Sequence, residues 1–179
     1  IVPPKEVHLI HCALDDMIPH MAVFIYPYVS WFPYIVVCAY LAIKNLDDRQ
    51  FKKAVLVLTT GMNIFLFISF VWPTGLNLRE SIVYDLHTLS GNLLKFVQTV
   101  DTPKSVFPSM HVYVTLVLQY TLEMQKKLVP SWGIWVGRVL AVLIVLSTMF
   151  TKQHSVLDVS AAIVMFAVLV VVVEKIVKK

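Results

Sequence analysis

The chain alternates between long apolar stretches and short polar connections. A helix needs about 20 apolar residues to cross the hydrocarbon core of a bilayer. Five stretches approach that length and carry few charged residues: 20–43, 54–73, 106–124, 132–150 and 156–173. The pattern predicts an all-α, polytopic transmembrane helical bundle of about five spans. Aromatic side chains are frequent in the first span, and some of them should lie at an interface or line a cavity.

The polar connections between these spans differ in charge. Residues 44–53 contain four Lys or Arg residues, and basic residues also follow the third and fifth spans. Basic loops favour the cytoplasmic side of a membrane. The connections 74–105 and 151–158 are therefore predicted to lie on the extracytoplasmic face, together with residues 1–19.

Two regions outside the spans also carry a pattern. Between Ser81 and Val100, apolar residues recur at spacings of three and four, which predicts an amphipathic helix in the plane of the membrane surface. Residues 1–19 hold too many charged and proline residues to span a membrane, and they lack the pattern of a signal peptide. The first residue is Ile rather than Met, which indicates a fragment or a processed form.

The composition agrees with a membrane protein. Of the 179 residues, 58% are hydrophobic and 15% are charged, whereas soluble domains carry about 25% charged residues. The length suits one membrane-embedded domain, residues 1–179. The net charge of +4 reflects basic loops rather than binding to nucleic acid, and the oligomeric state is left open. No metal or other cofactor is predicted, because the cysteines and histidines lack metal-ligand spacing.

Two short stretches place histidines at the rim of apolar segments. Residues 107–111 read Phe-Pro-Ser-Met-His and open the third span, and residues 147–158 close the fourth span and open the fifth. Ionisable groups are costly to keep in a membrane, so those that are present are usually functional. The start of span three and the end of span four lie on the same side. His111 and His154 are therefore predicted to face each other over one phosphate.

The chemistry of phosphoester cleavage indicates a role for three of these groups. His154 is the candidate nucleophile, which would form a covalent phosphohistidine. Asp158 lies one helical turn further on and can hold the other ring nitrogen, which fixes the tautomer. His111 can protonate the leaving oxygen.

Three further residues are candidate substrate-binding groups. Ser109 and the first backbone amides of the third span can bind phosphate oxygens, because a helix N-terminus favours anions. Arg79 and Lys152 can supply the positive charge that a phosphate requires. Lys104 is also near the site in sequence, but it is interpreted as a solvated loop charge.

Both histidine stretches resemble motifs of one family. Residues 108–111 match the Pro-Ser-x-His signature of the type-2 phosphatidic acid phosphatase superfamily, and residues 147–158 match the spacing of its last motif, Ser-Arg-x5-His-x3-Asp. The resemblance covers about residues 72–158. It implies a metal-independent helical-bundle enzyme acting on lipid phosphates, with the phosphohistidine on His154 and the general acid at His111.

The sequence departs from the family pattern in two places. Thr148 stands where the last motif has Arg, and the first motif, Lys-x6-Arg-Pro, is absent; residues 72–79 lie in its place and offer Arg79 alone. This variant pattern is similar to the branch that contains inositol phosphorylceramide synthases and sphingomyelin-synthase-like transferases. The predicted reaction is hydrolysis of phosphate monoesters of lipids or other amphiphiles, with transfer of a lipid phospho-headgroup to another alcohol as the alternative.

Two other classes of function are also considered. A transporter or channel would scatter ionisable residues at mid-depth in several spans, whereas here they lie at one rim. A non-catalytic lipid-binding relative would keep the fold with a weakened phosphate site. Asp15 and Asp16 do not indicate a metal site, because adjacent residues on a helix do not face each other.

Overall fold

The computed structural model describes residues 7–80 and 82–177. The helices, labelled in chain order, are α1 Ala13–Met17, α2 Ile25–Val29, α3 Trp31–Asn45, α4 Asp48–Val71, α5 Leu89–Val100, α6 Met110–Met124, α7 Ser131–Phe150 and α8 Val156–Ile176. A short 3₁₀ turn, Ala22–Phe24, leads into α2. Two strands of two residues each, β1 His8–Leu9 and β2 Thr74–Gly75, pair in parallel.

Among the described residues, four segments are long and apolar enough to cross a membrane. They are Ala22–Asn45, which joins the 3₁₀ turn to α2 and α3, and the helices α4, α7 and α8. Each agrees with one of the predicted spans. The predicted all-α transmembrane bundle is thereby confirmed.

The third predicted span, 106–124, is shorter than expected. Its helix, α6, has 15 residues and begins at Met110. The backbone amides of residues 106 and 107 both donate to the Thr74 hydroxyl at 3.2 Å, so this stretch is bound to β2 instead of extending the helix. α6 nevertheless lies at the centre of the bundle, where it contacts α3, α4, α7 and α8.

The main hydrophobic core surrounds α6. Its buried members are Val57, Val112, Tyr113, Val117, Val159, Ala162, Leu169 and Val173. Gly61 of α4 is buried against Tyr113, and a Cβ added to this glycine would overlap the tyrosine ring. The Tyr113 hydroxyl donates to the carbonyl of Val57. α4 and α6 therefore approach each other closely only because residue 61 has no side chain.

The amphipathic helix is also shorter than predicted, since α5 begins at Leu89 and not near residue 81, which itself lies outside the described residues. Thr88 caps α5 by accepting from Gly91 N at 3.1 Å, and its own hydroxyl donates to Asp85 O. The Asn92 amide donates back to the carbonyl of Leu86 at 2.7 Å. These polar side chains satisfy hydrogen-bonding groups of the backbone in a turn. The turn forms in place of a helix over residues 82–88.

The two ends of the bundle carry different groups. At one end, Asn45 donates to Gln125 at 3.0 Å, which joins two of the basic connections that were predicted to be cytoplasmic. The other end holds both predicted histidines and is covered by the N-terminal segment. That segment does not span, but its pairing through β1 with β2 was not predicted. Residues 1–6 lie outside the described part of the chain.

Candidate active site

The first turn of α8 presents His154 in one fixed orientation. Ser155 caps the helix, with its hydroxyl accepting from Leu157 N at 3.1 Å. Asp158 reaches back to this cap, and one carboxylate oxygen, Oδ2, accepts both from Ser155 N and from His154 Nδ1 at 3.0 Å. The Asp158 side chain is fully buried and His154 is 9% exposed. Because a carboxylate only accepts, Nδ1 carries the proton and Nε2 presents a lone pair.

His111 lies opposite, on the first turn of α6. Its ring centroid is 6.0 Å from that of His154. Two aromatic rings of the first span hold it: Tyr28 stacks at 4.8 Å and Trp31 lies at 4.2 Å, each measured between ring centroids. The structure thus brings the two histidines together and assigns some of the aromatic residues of the first span a place in the site.

A cavity of about 160 Å³ opens between these two histidines. Its polar wall is formed by Arg79, Asp101, Thr102, Lys104, Ser105, His111, Gln153 and His154. Its apolar wall is formed by Phe65, Val106 and Met110. A single opening therefore exposes both a cationic and an apolar surface to a ligand.

Arg79 is held at this cavity by the end of α5. Its guanidinium donates to the carbonyl of Asp101, and Nη2 lies 3.7 Å from the Asp101 carboxylate. Burial lowers the pKa of Arg79, while Asp101 counteracts this shift. An arginine stays charged in proteins even when its guanidinium is buried. A buried positive charge thus faces the space between the histidines.

Several buried polar atoms at this cavity have no hydrogen-bond partner among the described residues. They are Arg79 Nε, His111 Nε2 and both side-chain amide atoms of Gln153. Buried polar groups in native proteins are almost always paired. Three side chains that share one cavity and retain unused polar atoms make a site suited to a ligand rich in hydrogen-bond acceptors.

Two of the predicted substrate-binding residues lie elsewhere. The Lys152 ammonium donates to the backbone carbonyls of Asp15 and Ile18 at 2.6 Å, so it ties down the N-terminal segment and does not line the cavity. Ser109 is buried, with its hydroxyl accepting from Val112 N at 3.4 Å as the cap of α6. Neither side chain lines the cavity, and a role for them in binding substrate stays a prediction.

Sequence reasoning missed Lys104 and Gln153, which both line the cavity. Lys104 was interpreted as a solvated loop charge, because its nearness to the motifs in sequence does not show that its loop folds back onto β2. That return is visible in the bridge between Lys104 and Gly75. Gln153 is 1% exposed. Its place directly before His154 was the signal in the sequence that could have indicated a role in the site.

Spanning helices with a paired histidine, a buried carboxylate and a buried arginine at one end define an integral membrane protein with a site of the type used on phosphate esters. The family model described as the PAP2 superfamily matches residues 12–172. The chain therefore belongs to the PAP2 superfamily, whose members are phosphatases or phosphotransferases. No curated protein and no solved structure gives a match. The similarity to the inositol phosphorylceramide synthase-like branch stays a prediction.

Proposed function

We propose that the protein hydrolyses phosphate monoesters of lipids or other amphiphiles without a metal ion, through a phosphohistidine on His154. One observation carries the proposal: the His154–Asp158 pair faces His111 across a cavity whose buried donors are unpaired. A nucleophile with its tautomer fixed, an acid within reach of the leaving oxygen and donors for the phosphate oxygens are what in-line phosphoryl transfer requires.

In the first step, the lone pair on His154 Nε2 attacks phosphorus and the bond from phosphorus to the ester oxygen breaks. The leaving alkoxide takes a proton from His111 and departs as the alcohol. The His111 side chain is left as the neutral imidazole. The imidazole ring of His154 becomes positively charged, and Asp158 stabilises that charge through Nδ1. Arg79 and Gln153 hold the remaining phosphate oxygens from the polar wall.

In the second step, water attacks phosphorus while His111 removes its proton. The bond between phosphorus and His154 Nε2 breaks, and inorganic phosphate leaves. His154 recovers its lone pair and His111 its proton, so both groups return to their starting state. The sequence uses one histidine as acid and then as base, as microscopic reversibility requires.

The two walls of the cavity support an amphiphilic substrate. Phe65 belongs to α4, one of the helices that can span a membrane, and it lines the cavity together with Met110 and Val106. A lipid can place its phosphate against Arg79 and its hydrocarbon against these apolar side chains. The basic connections at the opposite end of the bundle support an extracytoplasmic position for the site.

One observation favours phospho-headgroup transfer as a second candidate. Thr148, which replaces the arginine of the family motif, is buried and donates its hydroxyl to Val145 O at 2.7 Å. The cationic lining is thereby reduced to Arg79 and Lys104. A phosphodiester carries one negative charge and a monoester up to two, so a smaller cationic set suits the diester of a headgroup transfer.

The experiment uses the purified chain in detergent micelles with phosphatidic acid and other lipid phosphate monoesters. Release of inorganic phosphate by the unmodified protein, abolished in His154→Ala, is the expected result. A parallel reaction with a phosphodiester lipid and a lipid alcohol acceptor measures headgroup transfer. Phosphate release that continues in His154→Ala would contradict the mechanism, and transfer without release would establish the second candidate.

A further inference from the structure

We propose that Asp15, in the N-terminal segment, is a positioning residue for the nucleophilic turn that bears His154. Asp15 lies in neither histidine motif and does not line the cavity. The proposal deepens the proposed function and rests on it, because it takes His154 as the nucleophile.

Asp15 is buried although it belongs to a five-residue helix at the end of the bundle; it is 2% exposed. Its Oδ1 accepts from Val156 N at 2.8 Å. Its Oδ2 accepts from the Ser155 hydroxyl at 2.6 Å and from Cys12 N at 2.8 Å. Burial alone would raise the pKa of Asp15, but these hydrogen bonds outweigh it and the pKa is lowered. A carboxylate from the start of the chain therefore caps the helix that follows His154.

Lys152 makes a second tie between the same two segments. Its ammonium donates to the carbonyls of Asp15 and Ile18. Lys152 has a φ of 56°, in the left-handed region that side-chain-bearing residues rarely adopt. A turn that contains such a residue persists only where its surroundings hold it. Residues 12–18 supply part of that restraint from outside the turn.

Ser155 transmits the restraint to the nucleophile. Its hydroxyl is bound by Asp15, and its backbone N–H is bound by Asp158 Oδ2, the same oxygen that holds His154 Nδ1. Displacement of Ser155 would therefore disturb the carboxylate that orients the imidazole. Since Asp15 does not touch the cavity, its loss is expected to lower kcat while KM stays nearly constant.

The test compares Asp15→Asn with Asp16→Asn in the full chain. Asp16 is the matched control, because it lies on the same short helix with a side chain 68% exposed and contacts His11 instead of the turn. We expect Asp15→Asn to lower kcat about 10- to 100-fold, as misplacement of a reacting group does. KM should stay close to that of Asp16→Asn. The midpoint of thermal unfolding should be lower than that of Asp16→Asn, because the lowered pKa of Asp15 stabilises the fold at neutral pH. Rates are therefore compared at a temperature at which both variants are folded.

Ser155→Ala and the double variant supply a further readout that a merely structural role would not produce. If Asp15 acts through Ser155, the double variant is no slower than the slower single variant. Multiplied losses in the double variant would overturn the proposal, as would a rise in KM at constant kcat or equal rates for Asp15→Asn and Asp16→Asn. If Asp15→Asn does not fold, a normal kcat in folded Ser155→Ala overturns it.

His154→Ala separates this proposal from the proposed function. Activity that persists in His154→Ala contradicts the proposed function, whatever Asp15→Asn does. An inactive His154→Ala together with a fully active Asp15→Asn contradicts the positioning role alone.

Discussion

The most informative perturbation of the site is Asp158→Asn. The substitution keeps the shape of the side chain and removes its charge. In the structure, one oxygen of Asp158 accepts from both Ser155 N and His154 Nδ1 at 3.0 Å. An asparagine oxygen in the same place still accepts both hydrogen bonds, so the cap of α8 and the tautomer of His154 are preserved. The variant therefore isolates the effect of the negative charge.

The magnitude follows from that arrangement. A hydrogen bond to a charged group contributes about 1.5–3 kcal/mol. This contribution matters most when the His154 ring is itself positive. Loss of that stabilisation corresponds to a kcat lower by roughly 10- to 150-fold. KM should change little, because Asp158 is buried behind His154 and does not line the cavity.

The assay is steady-state release of phosphate from a lipid phosphate in micelles, expressed per mole of monodisperse protein. Asp16→Asn is the control for loss of a carboxylate at the same end of the bundle. Thermal unfolding of both variants separates loss of fold from loss of rate. Folded Asp158→Asn that retains more than half of the unmodified kcat would refute the role of the Asp158 charge.

Three further predictions concern Arg79 at the cavity, Gly61 in the core and Asp15 in the N-terminal segment. Arg79→Gln should lower kcat/KM about 100- to 1,000-fold, as removal of one donor to a transition-state oxygen does, and steady-state kinetics measure it; a change below threefold would contradict its role. Gly61→Ala should destabilise the bundle by about 1–3 kcal/mol through overlap with Tyr113, measured as a lower unfolding midpoint; an unchanged midpoint would contradict the close approach. The lowered pKa of Asp15 adds stability that is present above the ordinary carboxyl pKa and is lost as the pH falls through the folded-state value. The unfolding midpoint should therefore fall in acid, and the fall should be smaller in Asp15→Asn.

The spans could be predicted from sequence because the bilayer imposes a simple condition. A backbone in hydrocarbon has to satisfy its own hydrogen bonds, so long apolar stretches become helices. Counting of crossings then predicts that His111 and His154 lie at the same end, and the ring distance of 6.0 Å agrees with that topology. Asp158 could be paired with His154 because residues four apart on a helix are neighbours.

The contacts that the sequence did not indicate are those that depend on distant segments. Lys152 is two residues from His154, but its left-handed backbone conformation directs its ammonium to the carbonyls of residues 15 and 18. Residues 106–109 were predicted to be helical, but the hydroxyl of Thr74 binds two of their amides. Asp15 and Ser155 are 140 residues apart, and nothing in local spacing indicates their contact.

We propose that His154 carries the phosphoryl group during the reaction. Rapid quenching, without acid, of a reaction with radiolabelled lipid phosphate is the direct test. The predicted result is protein-bound label that is stable in base and labile in acid, appears before free phosphate, maps by mass spectrometry to His154, and is absent from His154→Ala. His111→Ala should accumulate less label with a poor leaving group, since His111 protonates the leaving oxygen. With a good leaving group the label should form and persist, since His111 also takes the proton of the attacking water. Turnover without bound label under conditions that trap phosphohistidine, or label mapped to another residue, would contradict a phosphohistidine on His154.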